Sequence, residues 1–196
     1  MMMKAIRRLA VSTCALIALA LSAAAQDAGQ VLRLSVGYNT LKNSTSMSAE
    51  KRAEVERLGK LAQQASAARK YGDALKHYYH AIALMRGSEW TPARALSTAL
   101  TVKLDRAVVE PSNTIRVEIG QIFSLDEKPF DKLVATFTLN AMNGAAVKVL
   151  KTVEDAPSDF TAKPFVTEVV VPDIEDGKYR LTVAFKSAPS DDEAAM

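Results

Sequence analysis

The hydrophobic pattern of this chain changes its period once, near residue 99. Between residues 48 and 86 the apolar side chains recur at intervals of three and four, as on one face of an α-helix. From Ala99 to Ser187 they alternate with polar side chains, as on the two faces of a half-buried β-strand. Because the two periods occupy separate halves, the sequence predicts an α+β protein with its helices first.

The helical region spans 48–98 and carries start and stop signals. Ser48 is a good N-cap, and acidic residues follow it in the first turns, where the helix dipole favours them. Tyr71-Gly72 interrupts the pattern and Gly87 is a good terminator, so these residues predict a hairpin of two helices. Pro92 suits a first helical position, which predicts one more short helix.

The β region spans 99–187. Six runs show the alternation, and turn residues separate them; they are 100–104, 115–119, 133–139, 147–149, 165–171 and 179–185. One apolar and one wet face per run is typical of antiparallel sheets that pack face to face. The prediction is an immunoglobulin-like β-sandwich, with the helical hairpin packed on it.

Two further segments flank these regions. Residues 26–47 hold one short apolar stretch, and we expect a leader, either a docked strand or a linker. Residues 188–196 carry three acidic side chains and no apolar pattern. Such a composition predicts a disordered acidic tail, and it is also that of a linker to a further domain.

The spacing of small and aromatic residues in the hairpin resembles a tetratricopeptide repeat. The residues that carry this resemblance are Leu61-Ala62, Tyr71 to Leu75, Tyr78, Ala81 and Leu84. Arg86-Gly87 stands where the family usually has a proline, and only one unit of about 34 residues is present, whereas solenoids need about three. The resemblance implies a helical hairpin that packs on another element, rather than a free-standing superhelix.

The end of the β region resembles the final hairpin of immunoglobulin-like modules in secreted bacterial proteins. The residues concerned are Val171-Pro172-Asp173 and Asp176 to Leu181. Helical and β regions of this kind occur ahead of the catalytic domain in secreted bacterial hydrolases. This resemblance implies an accessory region, with catalysis supplied by a domain beyond Met196.

Residues 1–25 have the pattern of a secretory signal peptide. Lys4, Arg7 and Arg8 form a positive start, an apolar run follows, and Ala23-Ala24-Ala25 forms an A-x-A cleavage site. The apolar run is shorter than the ~20 residues that a spanning helix needs. We therefore expect a secreted or periplasmic protein that has no membrane segment after cleavage.

Removal of this segment changes the charge and the redox chemistry of the chain. All three of its charges are basic, so the formal net charge of +3 falls to zero. No basic footprint for nucleic acid then remains. Cys14, the only cysteine, leaves as well, which excludes thiol catalysis. Motifs for nucleotide cofactors and for a serine nucleophile are absent from the sequence, so we expect no cofactor and no enzyme activity from this chain.

Two sets of candidate site residues remain. Asp73, His77 and His80 stand at i, i+4 and i+7 and share a helix face, where a carboxylate and two imidazoles could bind a divalent metal; a solvated helix face is the alternative. Trp90 and Tyr78 are candidate binding residues, Trp90 as an aromatic in a ligand groove. The alternative for Trp90 is a packing role beside the helices.

These observations predict a non-catalytic module that recognises a protein or polysaccharide partner through the helix–sandwich junction or a sheet edge. The alternatives are the hydrolase accessory region and a metal-binding protein. The sequence leaves the oligomeric state open.

The signal peptide can be checked by the intact mass of the native protein from the exported fraction. Cleavage after Ala25 predicts the mass of residues 26–196. A much larger mass would instead support the hydrolase accessory region, and retention of residues 1–25 would contradict the signal peptide.

Overall fold

The computed structural model describes residues 28–127, 130 and 132–187. The predicted signal peptide 1–25 and tail 188–196 lie outside these residues. The chain divides into two compact units, Met1–Thr91 and Pro92–Met196. It is a mixed α+β protein with four helices and two antiparallel sheets in the described part.

The first unit contains three helices. Helix α1 covers 28–44, α2 is Ala49–Ala67 and α3 is Tyr71–Met85. Helices α2 and α3 both lie within the range 48–98 in which the sequence predicts a helical hairpin. The expectation of a strand or linker over 26–47 was wrong, because most of that segment is helical.

Helix α1 forms because its buried residues also have helical spacing. Val31 and Tyr38 are buried seven residues apart, and Leu34 and Leu41 are half-buried on the same face. The apolar residues between 31 and 36 mask this pattern, since Leu32 and Val36 are exposed. A short apolar run does not distinguish strand from helix without the packing partner.

Tyr38 fixes α1 against the hairpin. Its hydroxyl donates a hydrogen bond to the Val55 carbonyl oxygen at 3.1 Å, and its ring packs against the Tyr78 ring with centroids 5.4 Å apart. A Cβ at Gly59 would collide with the Tyr38 hydroxyl. Glycine at this position in α2 therefore permits the close approach.

The helix ends follow the predicted signals. The Ser48 hydroxyl accepts a hydrogen bond from the Lys51 amide at 3.3 Å, as an N-cap does. At the end of α3, Gly87 has φ +73° and Ser88 N–H donates to the Ala83 carbonyl at 2.9 Å, which is a Schellman cap. The end of α2 has the same cap, but Arg69 occupies its left-handed position with φ +61°.

The second unit begins with helix α4, Pro92–Ala99, and continues in six strands. They are β1 Leu100–Leu104, β2 Thr114–Gln121, β3 Leu133–Ala141, β4 Ala146–Ala156, β5 Phe165–Val170 and β6 Tyr179–Ser187. The sequence grouped the short helix with the hairpin up to residue 98. The structure places it with the strands, since Leu96 belongs to their hydrophobic core.

The strands form two sheets, each with three strands. The strand orders are β1-β2-β5 and β4-β3-β6, and every pairing is antiparallel. One hydrophobic cluster takes residues from both sheets, and among its fully buried members are Val117, Ile119, Leu133, Phe137 and Val169. Alternating apolar residues on β2, β3 and β5 therefore supply a common core.

Within the described ranges, we find no helix that combines the length and the apolar character needed to cross a membrane.

The two helix caps give a stability test. A non-glycine residue in the left-handed region is strained by about 1–2 kcal/mol, of which glycine's greater unfolded-state entropy offsets part. We expect Arg69→Gly to raise the free energy of unfolding by about 0.5–1 kcal/mol and Gly87→Ala to lower it by a similar amount. Urea denaturation followed by far-ultraviolet circular dichroism measures both.

Arg69→Ala is the matched control, because it removes the long side chain and keeps the Cβ. Equal stability of Arg69→Gly and Arg69→Ala would contradict the strain argument.

Candidate functional site

The three candidate metal ligands lie along α3. Asp73 is exposed in the first turn, whereas His77 and His80 are half-buried. Within the described residues, no three His, Cys, Asp or Glu side chains form a group that could hold a metal ion. Helical spacing places Asp73, His77 and His80 on one face but does not aim their side chains at one point, so the metal site stays a prediction from the sequence.

His80 packs on the ring of Trp90 instead. The ring centroids are 4.9 Å apart and the planes differ by 12°, so the rings are stacked. Trp90 itself is half-buried. One face of this tryptophan is thus covered by the imidazole, which favours the packing role over a flat aromatic platform for a ligand.

Burial lowers the pKa of His80 below its ordinary value. The Glu54 carboxylate opposes this effect, while Arg57 and His77 add to it. Glu54 is itself held by Arg57, whose Nε donates to one carboxylate oxygen and whose Nη2 donates to the other, both at 2.7 Å. The stack therefore contains a neutral imidazole near neutral pH.

Tyr78 is a core residue. It is 3% exposed, and its ring lies against Tyr38. Burial raises the pKa of its hydroxyl. A binding role for Tyr78 stays a prediction from the sequence, whereas the structure shows its ring packed against α1.

An apolar surface that the sequence did not single out lies on β1. Val102 is paired with Ile119 and Leu104 with Val117 on β2. Side chains of directly paired residues project from the same face of a sheet. Ile119 and Val117 are 0% exposed, yet Val102 is 47% and Leu104 is 43% exposed. The apolar face of the core thus continues onto β1 without being covered there.

The same two residues direct their backbone groups away from β2. At one end of β1 the Ala99 carbonyl accepts from Ile122 N–H at 2.9 Å, and at the other end Asp105 N–H donates to the Arg116 carbonyl at 3.1 Å. In an antiparallel pair, alternate residues bond to the partner strand. The odd-numbered residues of β1 therefore bond to β2, and Val102 and Leu104 direct their N–H and C=O groups outward.

We call this side of Leu100–Leu104 the β1 edge. In the described part of the chain, β1 is hydrogen-bonded to one neighbouring strand only, β2. The β1 edge thus combines outward backbone donors and acceptors with exposed apolar side chains. An added strand would use both features at once.

The opposite edge of this sheet is blocked by a charged side chain. Lys151 projects from β4, and its ammonium donates to the Thr167 hydroxyl at 2.7 Å and to the Glu168 carbonyl at 3.0 Å on β5. A lysine directed at an edge strand is a common protection against strand addition. The two edges of the β1-β2-β5 sheet therefore differ in their capacity to pair with another strand.

Comparison with known proteins gives no match: no family model, no curated protein and no solved structure matches this chain.

The His80–Trp90 stack predicts a pH dependence of stability. Because the folded state lowers the pKa of His80, the unfolded chain binds more protons between the two pKa values, and stability decreases as pH falls below about 6.5. We expect the urea midpoint of the first unit to decrease between pH 7 and about 5, and to decrease less in His80→Gln.

The fluorescence of Trp90, the only tryptophan, follows this transition. Because burial is the first cause of the lowered His80 pKa and His77 only adds to it, His77→Gln on the same helix should keep most of the dependence. The same pH dependence in wild type and His80→Gln would assign it to other groups.

Proposed function

We propose that this protein is a non-catalytic interaction module that binds an extended segment of a protein partner by strand addition at the β1 edge. The observation that carries the proposal is the half-exposure of Val102 and Leu104 beside fully buried partners on β2. The pattern of residues 1–25 supports a secreted or periplasmic location for this binding.

The proposed fold of the second unit is an immunoglobulin-like sandwich. The shared core of the two sheets supports it, as does Lys151, which brings β4 to β5. If the sheets stack face to face in this way, β1 and β6 are the edges on the other side. The site then lies where the two sheets leave their common core uncovered.

For the first unit we propose a tetratricopeptide-like hairpin. Small residues at the helix crossing support it, since Ala62, Ala74 and Ala81 are all 0% exposed. Tyr78 packs in the same interface. Because α1 occupies part of this hairpin through Tyr38, we assign the hairpin a structural role and the β1 edge the binding role.

A protein segment fits the β1 edge better than a polysaccharide does. An extended peptide supplies backbone N–H and C=O groups at the spacing of a strand, together with alternating side chains. The aromatic that would suit a sugar ring, Trp90, is stacked on His80. The geometry therefore supports peptide recognition.

Proline at Val102 tests the proposal. It removes an outward N–H and leaves the bonds from β1 to β2 in place, since proline is tolerated on edge strands. We expect Val102→Pro to lose at least tenfold in affinity for the partner. Val170→Pro, an equivalent change on the blocked β5 edge, is the matched control and should bind as wild type does.

The partner is first captured from the exported fraction by wild type and both variants, and identified by mass spectrometry. Amide hydrogen exchange on the wild-type complex then provides a readout that does not depend on how well the variants fold. Added protection at Val102 and Leu104 supports strand addition. A complex that leaves both amides unprotected, or that forms equally with all three proteins, would overturn it.

A further inference from the structure

The β1 edge also shows what kind of segment it fits. We propose that its partner is an acidic peptide strand in which apolar and carboxylate side chains alternate. This inference rests on the strand addition proposed above and adds the chemistry of the added strand.

The alternation follows from the two faces of β1. Val102 and Leu104 lie on the core face, and Lys103 between them lies on the outer face. In an added strand, the residues beside Val102 and Leu104 must therefore be apolar to cover them. The residue beside Lys103 lies on the outer face and remains hydrated.

The charged residues within β1 and β6 are all basic. Lys103 is exposed on β1, and Arg180 and Lys186 are exposed on β6, whereas neither strand contains an acidic residue. By contrast, β4 contains Glu154 and Asp155. A carboxylate in the added strand thus meets opposite charge at β1 and, in the proposed sandwich, at β6 as well.

Lys103 already has an acidic neighbour on one side only. It pairs across the strands with Glu118 on β2. An added strand would stand on its other side, where a carboxylate completes an alternating row of charges and a lysine would repel. The edge therefore favours acidic over basic segments.

Two other occupants are less well matched. A second copy would bring the β1 edge against itself, and its Lys103 would add positive charge beside the first. The segment 188–196 of this chain is acidic, but its apolar residues are alanines and one methionine, with Pro189 near its start. The tail therefore offers no alternating large apolar side chains for Val102 and Leu104, and a second copy offers Lys103 rather than a carboxylate beside Lys103.

Synthetic peptides of about seven residues, the length of a common strand, test the proposal. The first alternates Val or Leu with Glu or Asp. The second replaces the acids by Gln and Asn, the third replaces them by Lys, and the fourth has the first peptide's composition with the apolar residues grouped together. Fluorescence anisotropy measures the Kd of each for the full chain.

We expect the acidic alternating peptide to bind about two- to fivefold more tightly than its neutral form, with a larger margin over the lysine form. Added salt should reduce the margin. Lys103→Gln should remove most of it, whereas Lys148→Gln, a matched change at an exposed lysine of β4, should leave it unchanged. The grouped peptide should bind weakly.

The outcomes separate the two proposals. Equal binding of the acidic, neutral and lysine peptides, with loss in Val102→Pro, would overturn the acidic specificity and leave strand addition standing. Failure of every peptide to protect the Val102 and Leu104 amides would overturn both.

Two controls identify the other occupants. If a chain that ends at Ser187 loses amide protection on β1, the chain's own tail is the occupant. If the mass in solution doubles with concentration and Val102→Pro abolishes the doubling, the occupant of the β1 edge is a second copy of the chain. Either result would overturn the peptide partner.

Discussion

A three-stranded sheet has one central strand that is paired on both sides and two edge strands that are paired on one side. The surface of the second unit depends on which edge strands are covered by side chains and which keep exposed backbone groups. Lys151 places an ammonium against the backbone of β5, and a buried or half-buried ammonium is stable only with such partners. One edge is therefore occupied by a side chain, while β1 retains its outward backbone groups and half-exposed apolar residues.

The exposed apolar area on β1 lowers the stability that the isolated protein could otherwise gain from burying it. Burying apolar surface stabilises by about 25 cal/mol per Å², and Val102 and Leu104 give up part of that stabilisation. A natural edge strand is usually protected by a charge, a proline or a bulge. Lys103 is the charge that β1 carries, and it projects from the outer face rather than from the apolar one. In the proposed strand addition, this arrangement discourages pairing with an identical edge and favours a strand of complementary charge.

In the helical unit, one aromatic residue, Tyr38, covers part of the α2–α3 hairpin. Tyr38 contacts the backbone of α2 and the ring of Tyr78, and Gly59 provides the space for it. The surface of the helical hairpin that could otherwise pack on another element is thereby partly covered by α1. One face of the Trp90 ring is likewise covered within the chain, because the His80 ring stacks on it.

The sequence by itself determined most of the local structure. The change of period near residue 99 predicted the α+β class, the Ser48 and Gly87 caps predicted helix ends, and Pro92 predicted the start of α4; all of these are local signals that act within a few residues. Alternation likewise predicted the strands and which of their faces is apolar. The helix at 28–44 was not predicted because Leu32, Leu34 and Val36 alternate with polar residues over a short stretch, and only contact with the hairpin selects the face of Val31 and Tyr38.

Tertiary structure alone decided which apolar residues are covered. Val102 and Leu104 have the same alternation as Val117 and Ile119 in the sequence, and they differ only in whether another part of the fold lies over them. The same reason explains the candidate metal ligands: spacing placed Asp73, His77 and His80 on one face, but His80 turns to Trp90. Periodicity specifies the direction of a side chain from its own element, whereas its surroundings are set by elements distant in the sequence.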